Sequence, residues 1–150
     1  MNTDLEKARN HLDSGDYTCV LCRGDTIHTA TERGVKPLLS WLDSGVDAHG
    51  FSAADRVIGR ATAYLYVLLG VKAVYARVMS YPAREVLEKA GITAQAEKLV
   101  EGIINRKGTG PCPFEAAVLT IDTPAEALEA IRRKMAQMHS AADTPPSAAH

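Results

Sequence analysis

Two side chains, Asp55 and Cys112, combine a reactive group with a position near a predicted helix start. Ser52 followed by Asp55 resembles a capping box, in which the carboxylate accepts a backbone N–H and complements the helix dipole. The alternative for Asp55 is a functional role, in which its carboxyl group acts as a general acid or base or contacts a polar ligand. The sequence leaves both roles open.

Cys112 follows the segment Gly108-Thr109-Gly110 and lies just ahead of a predicted helix. Glycines allow a tight turn, and the unpaired N–H groups of a helix start can lower the pKa of a thiol and make it a better nucleophile. The same segment could hold a phosphate or a carboxylate, helped by two preceding basic residues, although it is not a P-loop. The alternative for Cys112 is a small buried residue in a rigid turn.

Cys19 and Cys22 form a C-x-x-C pair inside a segment that is typical of a strand. Residues three apart in a strand face opposite sides of the sheet, so the two sulfurs should point apart. Neither a disulfide nor a shared zinc ion is therefore expected, and the odd count of three cysteines implies no disulfide framework. Cys19 is predicted to be structural, whereas Cys22 lies near a hairpin end and could border a ligand pocket.

His49 and Arg60 are the remaining candidates for ligand contact. His49 precedes the helix predicted to carry Asp55 and could lean toward it. A zinc site from His49, Asp55 and Cys112 uses acceptable ligand types, but no local ligand spacing supports it. Arg60 lies four residues after Arg56 on one predicted helix face, and a buried arginine must meet a carboxylate, a backbone carbonyl or an anionic ligand. Arg56 is expected at the surface or at a subunit interface.

The periodicity of apolar residues predicts the elements that position these side chains. Predicted helices cover residues 3–13, 36–42, 52–69, 82–90, 113–119 and a last segment that begins at Pro124, and predicted strands cover residues 17–23, 26–31, 71–79 and 94–100. The helix at 52–69 is apolar nearly all round, so it should be buried against a sheet and against other helices or a partner subunit. Strands and helices alternate after an opening hairpin, which argues for α/β layers around a mixed sheet.

Length and composition limit the class of protein. The 150 residues carry a formal net charge of -1 and are 46% hydrophobic, which fits one domain at residues 1–139 with a disordered tail at 140–150. The balanced charge argues against a nucleic-acid partner. The sequence shows neither a secretory signal nor a transmembrane span, so a cytoplasmic protein without a membrane partner is expected.

Three segments carry a resemblance to a known family: residues 33–39 (RGVKPLL), 54–61 (ADRVIGRA) and 104–113 (INRKGTGPCP). With the order of elements, they resemble a family of uncharacterised bacterial domains placed by fold beside the cytidine deaminases. The resemblance covers roughly residues 3–122. It implies a three-layer α/β/α sandwich with a mixed sheet and a pocket walled by the starts of two helices.

The resemblance also implies that the zinc ligands of the deaminases are missing from this chain. A zinc deaminase carries H-x-E at the start of its buried helix and P-C-x-x-C at the start of the next helix. With the predicted helices, Ala53 and Asp55 stand at the first motif, and Ala83 and Val86 stand at the two cysteines of the second. Alanine and valine cannot ligate a metal, so zinc is not expected as a cofactor and zinc-dependent deamination is not carried over.

The sequence therefore predicts a deaminase-fold protein with a metal-free polar pocket around Asp55, Thr109 and Cys112, which binds a small anionic or nucleotide-like ligand. If it is an enzyme, for example a hydrolase, its chemistry should depend on Cys112 or Asp55 without a metal. One alternative is a non-catalytic binding or assembly module, with the second face of the helix at 52–69 buried in a homodimer. Another is a divergent zinc-dependent deaminase or hydrolase.

Overall fold

The computed structural model describes residues 3–32, 34–103 and 112–143. The chain forms, in order, α1 (Thr3–Ser14), β1 (Cys19–Arg23), β2 (Thr26–Ala30), α2 (Lys36–Asp43), β3 (Ser52–Ile58), α3 (Arg60–Leu69), β4 (Ala73–Ser80), α4 (Tyr81–Lys89), β5 (Thr93–Val100), α5 (Pro113–Ala117) and α6 (Pro124–Asp143).

The five strands form one mixed sheet in the order β2-β1-β3-β4-β5. β1 is antiparallel to both of its neighbours, whereas β3, β4 and β5 run parallel to one another. Gly24 makes the tight hairpin turn with a φ of 58°, and the helices α3 and α4 connect the parallel strands. Helices on both sides of the sheet complete the α/β sandwich, which confirms the predicted fold class.

The two faces of the sheet bury different clusters of side chains. α1 covers one face and packs Leu5, Ala8 and Leu12 against the sheet. The opposite face packs against α2, α3, α4 and the start of α6, and it holds the larger core. Because successive residues of a strand alternate between faces, Ala54 belongs to the α1 cluster and Ala53 belongs to the larger one.

The prediction of one helix from Ser52 to Leu69 is wrong in its first half. Ser52–Ile58 is the central strand of the sheet, and the helix begins after Gly59. Alanines and an apparent capping box favour a helix locally, but this strand is covered on both faces and therefore lacks the alternation of a half-buried strand. Asp55 is consequently not a helix cap, and Arg56 and Arg60 do not share a helix face.

The other elements match their predictions to within a few residues, with two differences. α5 ends at Ala117, two residues earlier than predicted. α6 continues to Asp143, so the tail predicted from residue 140 overlaps its last turn, and residues 144–150 lie outside the described residues. Within the described part of the chain, no helix combines the length and the apolar character that crossing a bilayer requires.

Candidate functional site

A cleft of about 560 Å³ opens at the carboxyl end of β3. Its floor includes Cys19 at the start of β1 and Asp55 in the middle of β3, which pair with each other across the two strands. Its walls come from the starts of α2, α3 and α5. The edge of a sheet where parallel strands end is a frequent ligand site, because the loops that follow the strands meet there.

Asp55 is the buried acid of this cleft. Its side chain faces α3, where the Tyr66 hydroxyl donates a hydrogen bond of 2.7 Å to Oδ2, and the Val57 N–H donates one of 3.3 Å to Oδ1. Burial raises the pKa of Asp55 to about 7, although the hydrogen bond from Tyr66 pulls it in the opposite direction. A carboxyl group with such a pKa can both give and take a proton near neutral pH.

Cys19 and Tyr66 extend the buried polar group beneath the cleft. Burial, and then the charge of the nearby Asp55, raise the pKa of the Cys19 thiol far above its ordinary value. The pKa of Tyr66 is raised well above its usual range by the same two causes in the same order. Cys19 and Tyr66 therefore stay protonated at neutral pH, and Asp55 is the member of the group that titrates.

Glu115 closes one end of the cleft by binding the start of α3. Its Oε1 accepts the Arg60 N–H at 2.7 Å, and its Oε2 accepts the Ala61 N–H at 2.8 Å. The N-cap residue, Gly59, has no side chain to do this. A carboxylate supplied from α5 thus satisfies two N–H groups that the first turn of any helix leaves free.

Gly59 is required for room and not for backbone freedom. Its φ of −98° and ψ of −178° are accessible to any residue. A Cβ at position 59, however, would lie 2.5 Å from Glu115 Oε1. The absence of a side chain at Gly59 lets the carboxylate approach the helix.

The described lining of the cleft is acidic and partly apolar. Asp16, Asp55 and Glu115 contribute carboxyl groups, and Arg56 is its one basic residue. The Arg56 Nε donates a 2.7 Å hydrogen bond to the carbonyl of Tyr17, which holds that side chain on the rim. The apolar part of the lining consists of Val35, Val57, Ile103 and Phe114.

The two predicted reactive residues, Asp55 and Cys112, line the same cleft. Cys112 is the N-cap residue of α5 and half-buried, and its N–H bonds to the Ile103 carbonyl at 2.9 Å. Gly108, Thr109 and Gly110, predicted to hold a ligand, lie outside the described residues.

Three predicted ligand contacts have side chains outside the cleft. Cys22 is buried on the α1 face, opposite Cys19, because the two residues are three apart in β1. The separation of the two sulfurs was predicted correctly, but the position of Cys22 at the pocket was not.

His49 lies before the amino end of β3, whereas the cleft opens at the carboxyl end of that strand, and His49 packs close to Gly70. It therefore does not lean toward Asp55, and a zinc site from His49, Asp55 and Cys112 is not formed. The Arg60 side chain points away from the cleft, where its Nη2 bonds to the Ile121 carbonyl at 2.6 Å. That contact satisfies the expectation that a partly buried arginine meets a backbone carbonyl.

Two residues of the site, Tyr66 and Glu115, were missed as functional candidates. Tyr66 lies in the apolar helix α3, where a tyrosine suggests only core packing, and its partner Asp55 lies 11 residues away on a strand. Glu115 contacts a helix start 55 residues earlier in the chain. The local signal for Glu115 was its place in the first turn of α5, next to the motif that contains Cys112.

The observed element order also changes the positions at which a deaminase would hold zinc. The helix that follows the hairpin is α2 and the next helix is α3, so the two motifs fall near Val35 and Gly59. The residues at the two helix starts, from Gly34 to Pro37 and from Gly59 to Ala63, include no histidine, cysteine or carboxylate. In the portions of the chain that are described, no three potential metal ligands cluster. These residues do not fit zinc, and no step is derived through it.

The fold and the cleft define an α/β protein with a five-stranded mixed sheet and an acid-lined site at the end of its central strand. The chain belongs to the TM1506 family, a domain of unknown function (DUF1893), whose model matches residues 7–135. The predicted membership of an uncharacterised family is confirmed. No curated protein matches the chain.

The solved structures that are similar to the chain include the following two. The crystal structure of a DUF1893 family protein (TM1506) from Thermotoga maritima has a TM-score of 0.79 and 24% identity, over 91% of each chain. The apo structure of dCMP deaminase from the cyanophage S-TIM5 has a TM-score of 0.41 and 13% identity, over 63% of this chain and 94% of that chain.

Proposed function

We propose that the cleft binds a small, planar, nucleobase-like molecule that is neutral or cationic, and that Asp55 exchanges a proton with it. The single observation that carries this proposal is a buried carboxyl group on the floor of a ligand-sized cleft, with its pKa raised by burial to about 7. Strongly perturbed acids in clefts are candidates for functional sites because a general acid or base works best with a pKa near the working pH.

The chemistry of the lining selects the class of ligand. Carboxylates accept hydrogen bonds, so Asp55, Asp16 and Glu115 suit a molecule that presents N–H donors. Phe114 offers an aromatic surface for a planar ring. The sequence predicted a small anionic or nucleotide-like ligand. The acidic lining does not favour the phosphate groups of such a ligand, so we narrow the proposal to a neutral or cationic molecule that resembles the base.

Asp55 can serve such a ligand in two protonation states. As a carboxylate it accepts a hydrogen bond or a proton from a ring nitrogen, and as an acid it donates one. Tyr66 and Val57 each occupy one lone-pair site on different oxygens, which leaves acceptor capacity on both. We place Cys112 at the rim as a ligand contact. Its thiol is a candidate nucleophile if the bound molecule carries an electrophilic carbon.

The proposal does not require a dimer. The apolar second face of α3, predicted to lie at a homodimer interface, is covered within the chain by α2, α4 and α6. We further propose a cytoplasmic location, which suits the free thiols of Cys19, Cys22 and Cys112, since the cytosol keeps thiols reduced.

Thermal-shift screening tests the proposal. Nucleobases, nucleosides and their 5′-monophosphates would be titrated against the wild-type protein, Asp55→Asn and the control Asp25→Asn, which changes an exposed turn residue. A bound ligand raises Tm by mass action. We expect a neutral base or nucleoside to stabilise the wild type and the control, with affinity for Asp55→Asn weaker by about tenfold or more, since a charge-assisted hydrogen bond is lost.

Two outcomes contradict the proposal. In one, no base or nucleoside raises the Tm of the wild-type protein at millimolar concentration. In the other, Asp55→Asn binds the best ligand as tightly as the wild type does. Assay of the best ligand for turnover then distinguishes an acid–base enzyme from a binding module, since both share the same cleft.

A further inference from the structure

We infer that Glu115 is a specificity-determining residue, which excludes anionic groups from the cleft and so restricts its ligands to neutral and cationic molecules. The inference names the charge class that the proposed ligand site accepts, and in that respect it rests on the proposed function. Three contacts of the Glu115 side chain support the inference.

The first contact is with the backbone of α3. Both carboxylate oxygens of Glu115 are engaged, with the N–H groups of Arg60 and Ala61 at 2.7 and 2.8 Å. Free N–H groups at a helix start are the backbone feature that attracts a phosphate or a carboxylate. In this protein those groups already hold a carboxylate that belongs to the chain.

The second contact is steric. The carboxylate fits against the backbone of Gly59 so closely that a Cβ there would lie 2.5 Å from Oε1 and 2.9 Å from Oε2. A ligand anion could reach the two N–H groups only by displacing Glu115.

The third contact is with the cleft itself, because Glu115 is part of its lining. Asp16 lies on another part of the wall, so an entering anion meets the carboxyl groups of two separate segments, and Asp55 on the floor adds a third negative charge once it has lost its proton. The guanidinium group of Arg56 is the positive charge of the described lining, where its Nε donates to the Tyr17 carbonyl, and carboxyl groups outnumber it among the described lining residues. Like charges in such a partly enclosed site repel more strongly than they would in bulk water.

Two substitutions separate the effect of the charge of Glu115 from the effect of its size. Glu115→Gln keeps the size of the side chain but removes its charge, and its amide group cannot accept the second N–H. Glu115→Asp keeps the charge but shortens the reach. Glu129→Gln, on the exposed face of α6, controls for the change in net charge.

Inorganic phosphate is the probe, titrated at constant ionic strength against chloride. We expect Glu115→Gln to bind phosphate about tenfold more tightly than the wild-type protein, Glu115→Asp and Glu129→Gln. Equal phosphate affinity in Glu115→Gln and the wild type would overturn the inference. An equal gain in Glu115→Gln and Glu115→Asp would also overturn it, because space rather than charge would then be responsible.

A measurement on the wild-type protein keeps the inference testable if Glu115→Gln does not fold. Backbone amide resonances of Arg60 and Ala61 should not shift when phosphate is added to the wild type, and a saturable shift at both amides contradicts the inference. Neither readout uses a nucleobase. Failure of the proposed ligand class and failure of the role of Glu115 therefore give different results.

Discussion

The two faces of the sheet use the same strands for different purposes. On the α1 face, β1 and β3 contribute Val20, Cys22 and Ala54 to a small cluster of buried side chains. On the other face the same two strands contribute Cys19 and Asp55, which lie under a cleft and share a polar group with α3. One step along a strand therefore separates a packing residue from a candidate functional residue.

The contrast shows what each face can tolerate. A buried apolar face loses stability when its volume changes, whereas a buried carboxyl group makes stability depend on pH. Substitutions on the α1 face should thus lower stability, whereas substitution of Asp55 should change how stability depends on pH.

Leu12→Ala should give the largest effect and should be confined to the α1 face. Leu12 is fully buried there, so its truncation should lower the free energy of unfolding by about 2–5 kcal/mol. Urea unfolding measures this value. Leu119→Ala, at a side chain that is 70% exposed, should change stability by less than about 0.5 kcal/mol. If Leu12→Ala still folds but no longer binds the proposed ligand, the two faces of the sheet are not independent and the prediction is contradicted.

The pH dependence of stability should reflect Asp55, which lies on the face of the sheet opposite to α1. The folded state keeps a proton on Asp55 up to a pKa of about 7, whereas the ordinary value is 3.8. Protonation therefore favours the folded state, and this contribution is complete below the ordinary pKa and lost as the pH rises through the folded-state pKa. The loss amounts to as much as about 4 kcal/mol.

Asp55→Asn isolates that contribution because the amide does not titrate. Subtracting the unfolding free energy of the variant from that of the wild type should give a difference that falls between about pH 4 and pH 7 and is constant above about pH 8. The same subtraction with Asp25→Asn, at an exposed turn residue, controls for the loss of a carboxyl group elsewhere in the chain. A flat profile for Asp55→Asn would show that Asp55 ionises in the folded protein at its ordinary pKa.

Gly59→Ala should give an intermediate effect through the start of α3. The added Cβ displaces the Glu115 carboxylate, so two helix N–H groups lose their acceptor at a cost of about 1–2 kcal/mol. Gly102→Ala is the matched control, since a Cβ there meets no atom within 4 Å. Equal unfolding free energies for the two variants would mean that Glu115 contributes nothing as a cap.

Tyr66→Phe should give the smallest change in stability and a specific change in the site. Loss of one hydroxyl hydrogen bond costs about 1 kcal/mol and removes a donor to the Asp55 carboxylate, so the pKa of Asp55 should rise above 7. Tyr64, also on α3, is the control: Tyr64→Phe loses a hydroxyl that donates to the Ile121 carbonyl and accepts from Arg60 Nη2. It should leave the titration of Asp55 unchanged, and a shift of the same size in both variants would contradict the assignment.

Much of the fold was predictable from local signals, and the exception is informative. Gly24, Pro82 and Pro124 mark turns and helix starts because their backbone preferences are local properties. The strand β3 was mistaken for a helix because Ala53 and Ala54 are good helix formers and because a strand buried on both faces shows no period of two. Only its pairing with β1 and β4, which the local sequence does not encode, decides between the two structures.

The candidate site was predictable in part for the same reason. Asp55 and Cys112 were singled out by residue type, and the structure places both at one cleft. Tyr66 and Glu115 act through partners 11 and 55 residues away, so the adjacent residues do not reveal these contacts, although Glu115 lies in the first turn of α5 close to Cys112. His49 was assigned to the wrong end of the sheet because a helix from Ser52 would have placed it near Asp55.

The titration of Asp55 itself tests the central claim most directly. Carboxyl-carbon NMR of aspartate-labelled protein, assigned by comparison with Asp55→Asn, follows its protonation through the pH range in which the protein stays folded. The buried acid of the cleft should titrate with a pKa of about 7. A pKa near the ordinary aspartate value of 3.8 would contradict the account, because Asp55 would then be a permanently charged structural residue.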